Sequence, residues 1–440
     1  MRKICRILLV AALVALLLTG CNFHTLDELY CLPKRSEEVT NLQSQIANVM
    51  TDLEYSAPLS GENQQTVQMA DLTGDGEVEY ILFAKGNTER PLQIFIFSGD
   101  GETYRLLDTI ECSGTAFEQV EYISMDKSPG LKMVVGRQVS DQVVRSLSIY
   151  AFEDGNMQQL MTTGYSRFLA CDLDKNGISE LMVFRPDEDE GNNGIAELYS
   201  FRQGTLERSN EVPMSRPADK IKRIMTGNLN EGTRAVFTAS DVDGNAILTD
   251  VYALLDGVLT NISLSNESGT SVQTLRNYYV YADDIDSDGV LELPSLISMK
   301  MSAENAAAES HHIIRWYAMT PDGGEVDKMY TYHNYVSGWY MQLNSEIAQR
   351  FTVTQRGNSY EFSLWDENFQ NAEELMTVYV LTGQKREEQA VAENRFVLHR
   401  SESTVYAANL NAASAAYGIT KESVIRGFHL IHQDWNTGET

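Results

Sequence analysis

Cysteine, histidine and basic side chains are scarce in this 440-residue chain, and each shortage removes a class of function. The five cysteines form no Cys-x-x-Cys pair and no Cys/His cluster, so they supply neither a disulfide framework nor a zinc site. Of the seven histidines, His311 and His312 are adjacent; on a strand they would face opposite ways and could not share a metal. His429 and His432 could share one on a helix, but no third ligand accompanies them. No Gly-x-Ser-x-Gly elbow, phosphate-binding loop or His-Glu-x-x-His occurs. Lys and Arg number 34 against 62 Asp and Glu, a formal charge of −28 that repels phosphate backbones and argues against nucleic acid. The same charge attracts divalent cations. With 30 Gly and 9 Pro the composition is that of a globular chain, not a disordered one.

The one long apolar run, Ile7 to Leu18, follows Arg2, Lys3 and Arg6 and precedes small residues. It is too short for a stable spanning helix, and residues 1–20 read as a secretory signal peptide. The segment Leu18-Thr19-Gly20-Cys21 resembles the lipobox of bacterial lipoproteins. That resemblance implies cleavage before Cys21 and acylation of its thiol, with palmitate-type chains as a membrane anchor. The folded part would then lie on the extracytoplasmic face of the cell membrane. Each buried methylene adds ~0.8 kcal/mol to such anchoring. Cys5 lies in the signal. Cys31, Cys112 and Cys171 read as isolated thiols, although an exported protein could bridge two of them.

Residues 21–62 read as a tether followed by a short helix, because Val39, Leu42, Ile46, Val49 and Met50 fall near helical spacing. From residue 63 to 334 the dominant period is two, interrupted by Gly, Asp and Asn turns. Units open near residues 71, 126, 172, 228 and 284, each with about four strands too few to bury their own faces. Five such units predict a mainly β fold, a β-propeller of about five four-stranded blades, with a stack of open sheets as the rival.

Three units open on an acidic loop: Asp71-Leu-Thr73-Gly-Asp75-Gly76-Glu-Val-Glu79, Asp172-Leu-Asp174-Lys-Asn176-Gly177-Ile-Ser-Glu180 and Asp284-Ile-Asp286-Ser-Asp288-Gly289-Val-Leu-Glu292. Oxygens at positions 1, 3 and 5 of a tight turn point inward, Gly at 6 permits the bend, and a hard cation takes six to eight oxygens. An EF-hand would close with Glu at position 12, where this chain has Leu82, Val183 or Ser295, so that reading fails. The same residues without a metal would be polar turns capping their own amides.

The pattern resembles the calcium loops of FG-GAP or VCBS repeats, the blades of integrin-alpha-like propellers. The resemblance implies structural Ca2+ at up to three sites. Its ligands would be Asp284, Asp286, Asp288 and Glu292 with the carbonyl of Val290, and Asp172, Asp174, Asn176 and Glu180 with that of Ile178. The third set would be Asp71, Thr73, Asp75 and Glu79 with the carbonyl of Glu77. Glu replaces the family's usual Asp at position 9 in all three loops, and Thr73 removes a charge from the first. The units near 126 and 228 lack the set and are expected to bind nothing.

Residues 335–440 read as a small α+β domain, faintly similar to the C-terminal regions of lipoproteins of Gram-positive anaerobes. Trp339 to Leu343, Phe351 to Thr354, Tyr360 to Leu364, Leu375 to Leu381 and Arg395 to His399 are expected as strands, Val405 to Ala416 as a helix, and Thr420 as the cap of a final helix. Tyr278, Tyr279, Tyr281, Tyr330, Tyr332, Tyr335, Trp339 and Tyr340 gather near the junction, as strand core or as a carbohydrate or protein contact surface. The whole predicts a non-enzymatic, lipid-anchored cell-surface protein that binds a protein or glycan. The rival is an exported carbohydrate-active hydrolase on a propeller scaffold.

Overall fold

A computed structural model describes residues 37–99, 103–139, 145–187, 193–202, 204–242, 246–278, 280–300 and 312–431. The signal, Cys21, the tether, Cys31, Tyr279, His311 and His432 lie outside the described residues, as do parts of the turns at 98–101 and 243–244.

The chain is mainly β, in several antiparallel sheets. The first sheet runs Val67–Ala70, Glu79–Lys85, Leu92–Gly99 and Tyr104–Cys112, with the short Glu54–Tyr55 added beside its second strand. The second holds Ala116–Ile123, Lys132–Gln138, Arg145–Glu153 and Asn156–Gly164. The third holds Arg167–Cys171, Glu180–Pro186, Gly194–Arg202 and Thr205–Pro213. The fourth holds Ile221–Asn228, Arg234–Val242, Ala246–Leu255 and Val258–Asn261. Each is a simple meander, and Asp154-Gly155 and Asp256-Gly257 both take positive φ, which two-residue hairpin turns require.

The fifth sheet contains Glu292–Ser298, His312–Met319, Glu325–Asn334 and Trp339–Leu343, and the late strand Phe428–Leu430 joins its edge. A sixth sheet, of five strands, follows: Phe351–Arg356, Ser359–Trp365, Ala372–Thr382, Thr404–Leu410 and Phe396–Arg400. Trp339 to Leu343 is thus a strand, as expected, but one that belongs to the fifth sheet.

Alternation along the second strands stacks the sheets. Ile81 and Phe83 pack on the second sheet while Leu82 and Ala84 face the other way. Val134 meets Leu181 and Val183 of the third sheet; Met182 and Phe184 meet Val236 of the fourth; Ala235 and Phe237 meet Leu293 and Tyr317 of the fifth. Because both faces are covered, these strands read as continuous apolar runs. Trp339 and Met341 then carry the core into Phe351 and Phe362 of the sixth sheet.

The outer face of the first sheet is covered by α1 (Glu37–Val49), whose Leu42, Ile46 and Val49 pack on Leu82, Phe95 and Phe97. At the far end Ala390 of α2 (Arg386–Ala390) packs on Leu381, Val405 and Ala407. Among the described residues no buried cluster joins the first sheet to the sixth.

Two local expectations fail. Val405 to Ala416 is not a helix: Thr404–Leu410 is a strand hydrogen-bonded to neighbours on both sides, and only Ala412–Tyr417 coils, as a 3-10 turn. Pairing with two strands outweighs the helical preference of its alanines. Thr420 does cap α3 (Lys421–Gly427), with Ser423 completing the capping box, but the helix stops before His429. His429 therefore lies on a strand, where the helical pairing with position 432 is lost.

Candidate metal centre

The acidic loops occupy one repeated position, just ahead of the strand that opens on the closing glutamate. They lie between the first and second strands in the first and third sheets, and before Glu292–Ser298 in the fifth, where Asp283 forms an isolated bridge. The residues that close these loops pair as Ala70 with Glu79, Ile123 with Lys132, Cys171 with Glu180, and Asp283 with Glu292. In each case residues 71–78, 124–131, 172–179 and 284–291 form loops of equal length. The fourth sheet shortens its loop, pairing Asn228 with Arg234. Neighbouring loops are tied by backbone: Leu131 N–H donates to Asp71 O at 2.9 Å, Ser179 N–H to Ser124 O at 2.8 Å, and Leu291 N–H to Asn228 O at 3.0 Å. The loops therefore line one edge of the stack.

Within each acidic loop the first aspartate organises the turn. Asp284 accepts the Asp288 and Gly289 amides at 2.9 Å each, Asp172 those of Asn176 and Gly177 at 3.0 and 2.8 Å, and Asp71 those of Gly74 and Gly76 at 2.7 and 3.0 Å. Position 6 needs glycine, since Gly76, Gly177 and Gly289 sit at φ 91°, 84° and 84°. The position-5 side chains accept the amide of position 7: Asp75 that of Glu77 at 2.9 Å, Asn176 that of Ile178 at 2.7 Å, and Asp288 that of Val290 at 2.8 Å.

The closing glutamate is different: it points back under the loop and is buried. Glu292 is 0 % exposed, Glu79 1 % and Glu180 6 %. One oxygen of each takes a position-2 amide, from Leu72 at 2.8 Å, Leu173 at 2.9 Å and Ile285 at 3.2 Å. The second oxygen separates the loops. In the first, the Thr73 hydroxyl donates to Glu79 Oε1 at 3.3 Å. In the fifth sheet, Glu292 Oε1 is buried with no hydrogen-bond partner. A buried carboxylate oxygen without a donor costs about 1–3 kcal/mol or more.

Two sets of carboxylates converge, Asp172, Asp174 and Glu180, and Asp284, Asp286 and Glu292, each with ligand oxygens within 4.8 Å of one another. Either could hold a metal ion. Positions 1, 3 and 9 thus come together. Position 5 does not join them: Lys328 Nζ takes Asp288 Oδ2 at 2.7 Å, and Asn176 Nδ2 turns onto Asp174 at 2.8 Å. The loop of Asp71, Thr73, Asp75 and Glu79 forms no such cluster among the described residues.

Electrostatics follow the packing. Burial, reinforced by Asp286 and Asp288, pushes the Glu292 carboxyl up to about 8. Burial, with Asp174 and Asp172, raises Glu180 to about 7, and burial also raises Glu79. Burial and the neighbouring Asp288 raise Asp286, whereas the Lys328 ammonium holds Asp288 below its usual range. Carboxylates that resist ionisation until a cation arrives suit a metal-binding loop.

Sequence reasoning missed what stands at position 9 in the loops without ligands. There the register places Lys132 and Arg234. Lys132 is 5 % exposed, and its ammonium contacts Asp126 Oδ1 at 3.1 Å, Ser128 Oγ at 2.7 Å and Gly130 O at 3.2 Å. The side chain supplies its own cation to the loop. Counting back from the strand start would have found it. Of the remaining candidates, Cys112 and Cys171 are buried free thiols.

No protein-family model matches the sequence, and no curated protein matches it. Among solved structures the chain is similar to exotype rhamnogalacturonan lyase YesX at 11 % identity, covering 74 % of this chain and 68 % of that one, with a TM-score of 0.30. Rhamnogalacturonan lyase YesW gives 11 %, 73 % and 64 %, with 0.28. Sqt1 of Saccharomyces cerevisiae gives 11 %, 64 % and 78 %, with 0.26. At these scores the likeness carries no argument about activity.

Proposed function

We propose that this chain is a lipid-anchored, extracytoplasmic surface protein without catalytic activity. Its propeller-type array of sheets binds a protein or glycan and is stiffened by structural Ca2+ in the loops at 172–180 and 284–292. The observation that carries the metal reading is Glu292 Oε1, buried without a donor beside Asp284 and Asp286. A hard cation satisfies that oxygen and neutralises the cluster at once. Lys132 supports the reading, since a built-in ammonium stands where the acidic loops have a carboxylate. Anchoring rests on Leu18-Thr19-Gly20-Cys21 alone. The loop carboxylates accept amides of their own turns, so their role here is to hold backbone.

The test is a thermal melt of the detergent-solubilised full chain in EDTA and in millimolar Ca2+, beside the Asp286→Ala/Asp288→Ala double variant. A ligand that binds only the folded state raises the melting temperature. Calcium should stabilise the parent and stabilise the variant much less; no shift in the parent sinks structural calcium. Separately, Cys21→Ser should move the protein from the membrane to the soluble fraction, and unchanged membrane retention would end the anchor reading.

A further inference from the structure

A cleft of about 170 Å³ opens where the fifth sheet meets the sixth. Tyr278, His312, Tyr332, His333, Tyr335 and Gln355 contribute to its wall. We propose that this cleft binds one neutral sugar ring, the terminal or internal residue of a glycan. The inference deepens the binding role proposed above and rests on it.

Size comes first. An apolar cavity of about 150 Å³ accommodates one benzene ring, so this cleft takes one six-membered ring. Among the described residues no Lys, Arg, Asp or Glu lines it. Burial pushes the His333 imidazole down to about 3, so it too is uncharged at neutral pH. A chain at −28 would in addition repel an acidic ligand.

The wall mixes apolar and polar side chains, as the surface of a sugar mixes C–H and hydroxyl groups. Tyr278 is 39 % exposed, and its ring lies 5.2 Å from that of Tyr335 at an interplanar angle of 48°, leaving an aromatic corner. Such rings give a C–H face something flat to rest on while their hydroxyls stay polar. Tyr335 Oη is buried and has no hydrogen-bond partner, and burial raises its ionisation well above the usual range, so it remains a donor. A buried hydroxyl left unpaired is costly, and Tyr335 belongs to the cleft wall, where a ligand hydroxyl would remove that cost. Gln355 Nε2 is already spent on Gly357 O at 3.1 Å, which leaves its carbonyl oxygen to accept from a sugar. A purely apolar ring would leave the Tyr335 hydroxyl unsatisfied.

The test is saturation-transfer NMR on the detergent-solubilised full chain in calcium. The probes are the methyl α-glycosides of glucose, galactose, mannose and N-acetylglucosamine, with cyclohexanol as the apolar ring. Transfer to the ring protons of at least one glycoside is expected, absent in Tyr278→Ala and weakened at least tenfold in Tyr335→Phe. The glycoside should be recovered unhydrolysed. No transfer to any glycoside, transfer unchanged in Tyr278→Ala, or binding of cyclohexanol alone would overturn the proposal. The calcium melt on the same samples separates the two readings and confirms that the variants fold. A retained calcium shift without glycoside binding sinks the cleft only; glycoside binding without a calcium shift sinks the metal reading only.

Discussion

The loops of the second and fifth sheets are the same backbone device with opposite charge at its base. Both span equal lengths between paired strands, and both end on a buried ionisable residue, Lys132 in one and Glu292 in the other. In the second sheet, burial opposes ionisation of Asp126, yet the Ser128 hydroxyl and Lys132 ammonium together hold its carboxyl below the usual range. In the fifth, the buried base is a third carboxylate, raised to about 8 and lacking a donor at one oxygen. One loop is closed by its own side chain. In the other, Lys328 reaches only Asp288, and Glu292 Oε1 stays without a donor.

Exchanging the charges breaks the comparison most directly. Lys132→Glu buries a second carboxylate beside Asp126, and a loss of about 3–5 kcal/mol of stability is expected in denaturant unfolding. Glu292→Lys should transplant the self-contained loop. It is expected to fold without metal and to lose the calcium response of its loop. At 10 mM Ca2+ and a Kd of ~10⁻⁴ to 10⁻³ M that response is about 1.4–2.7 kcal/mol, read as a smaller shift of Tm.

Acidity sharpens the same contrast. With carboxyl groups held at about 7 and about 8 in the native state, the metal-free fold carries protons that the unfolded chain has already released. Their contribution is fully present below the ordinary carboxylate range and is lost as pH rises through these values. In EDTA, Tm should therefore fall between about pH 5 and 8, and Glu180→Gln/Glu292→Gln should flatten that slope. In calcium the trend should reverse, since the ion binds the deprotonated form. A metal-free Tm that rises over this window would contradict the raised carboxyls. The smallest effect is expected from Thr73→Asp, which removes the hydroxyl that satisfies Glu79 and restores a carboxylate. It should add about 1 kcal/mol or less to the calcium response, measured by the same melts.

Much of this was legible in the residues. Period-two runs and Asp-Gly turns indicated five strand units, and the helical spacing of Leu42, Ile46 and Val49 indicated a short helix, whose seat on the first sheet only the fold shows. Asp284, Asp286 and Glu292 were named together and lie together. Asp288 was named with them but is drawn to Lys328, forty residues on, a contact no loop pattern encodes. Thr404–Leu410 was misread because alanine favours helices locally, while the interior position it fills, between Ala372–Thr382 and Phe396–Arg400, is decided by pairing on both sides. The aromatic cluster was seen as core or contact surface. Tyr332 and Trp339 are core, and Tyr278 stands at the mouth of a cleft.

The sequence by itself determined the repeat, the strands, the acidic turns and the glycine each turn requires, because these depend on neighbours a few residues apart. Only the tertiary structure decided which carboxylate loses its water, which loop closes on its own lysine, and where the fifth and sixth sheets leave a ring-sized gap. Desolvation and pairing depend on what packs from other sheets, and that is fixed by the stack as a whole.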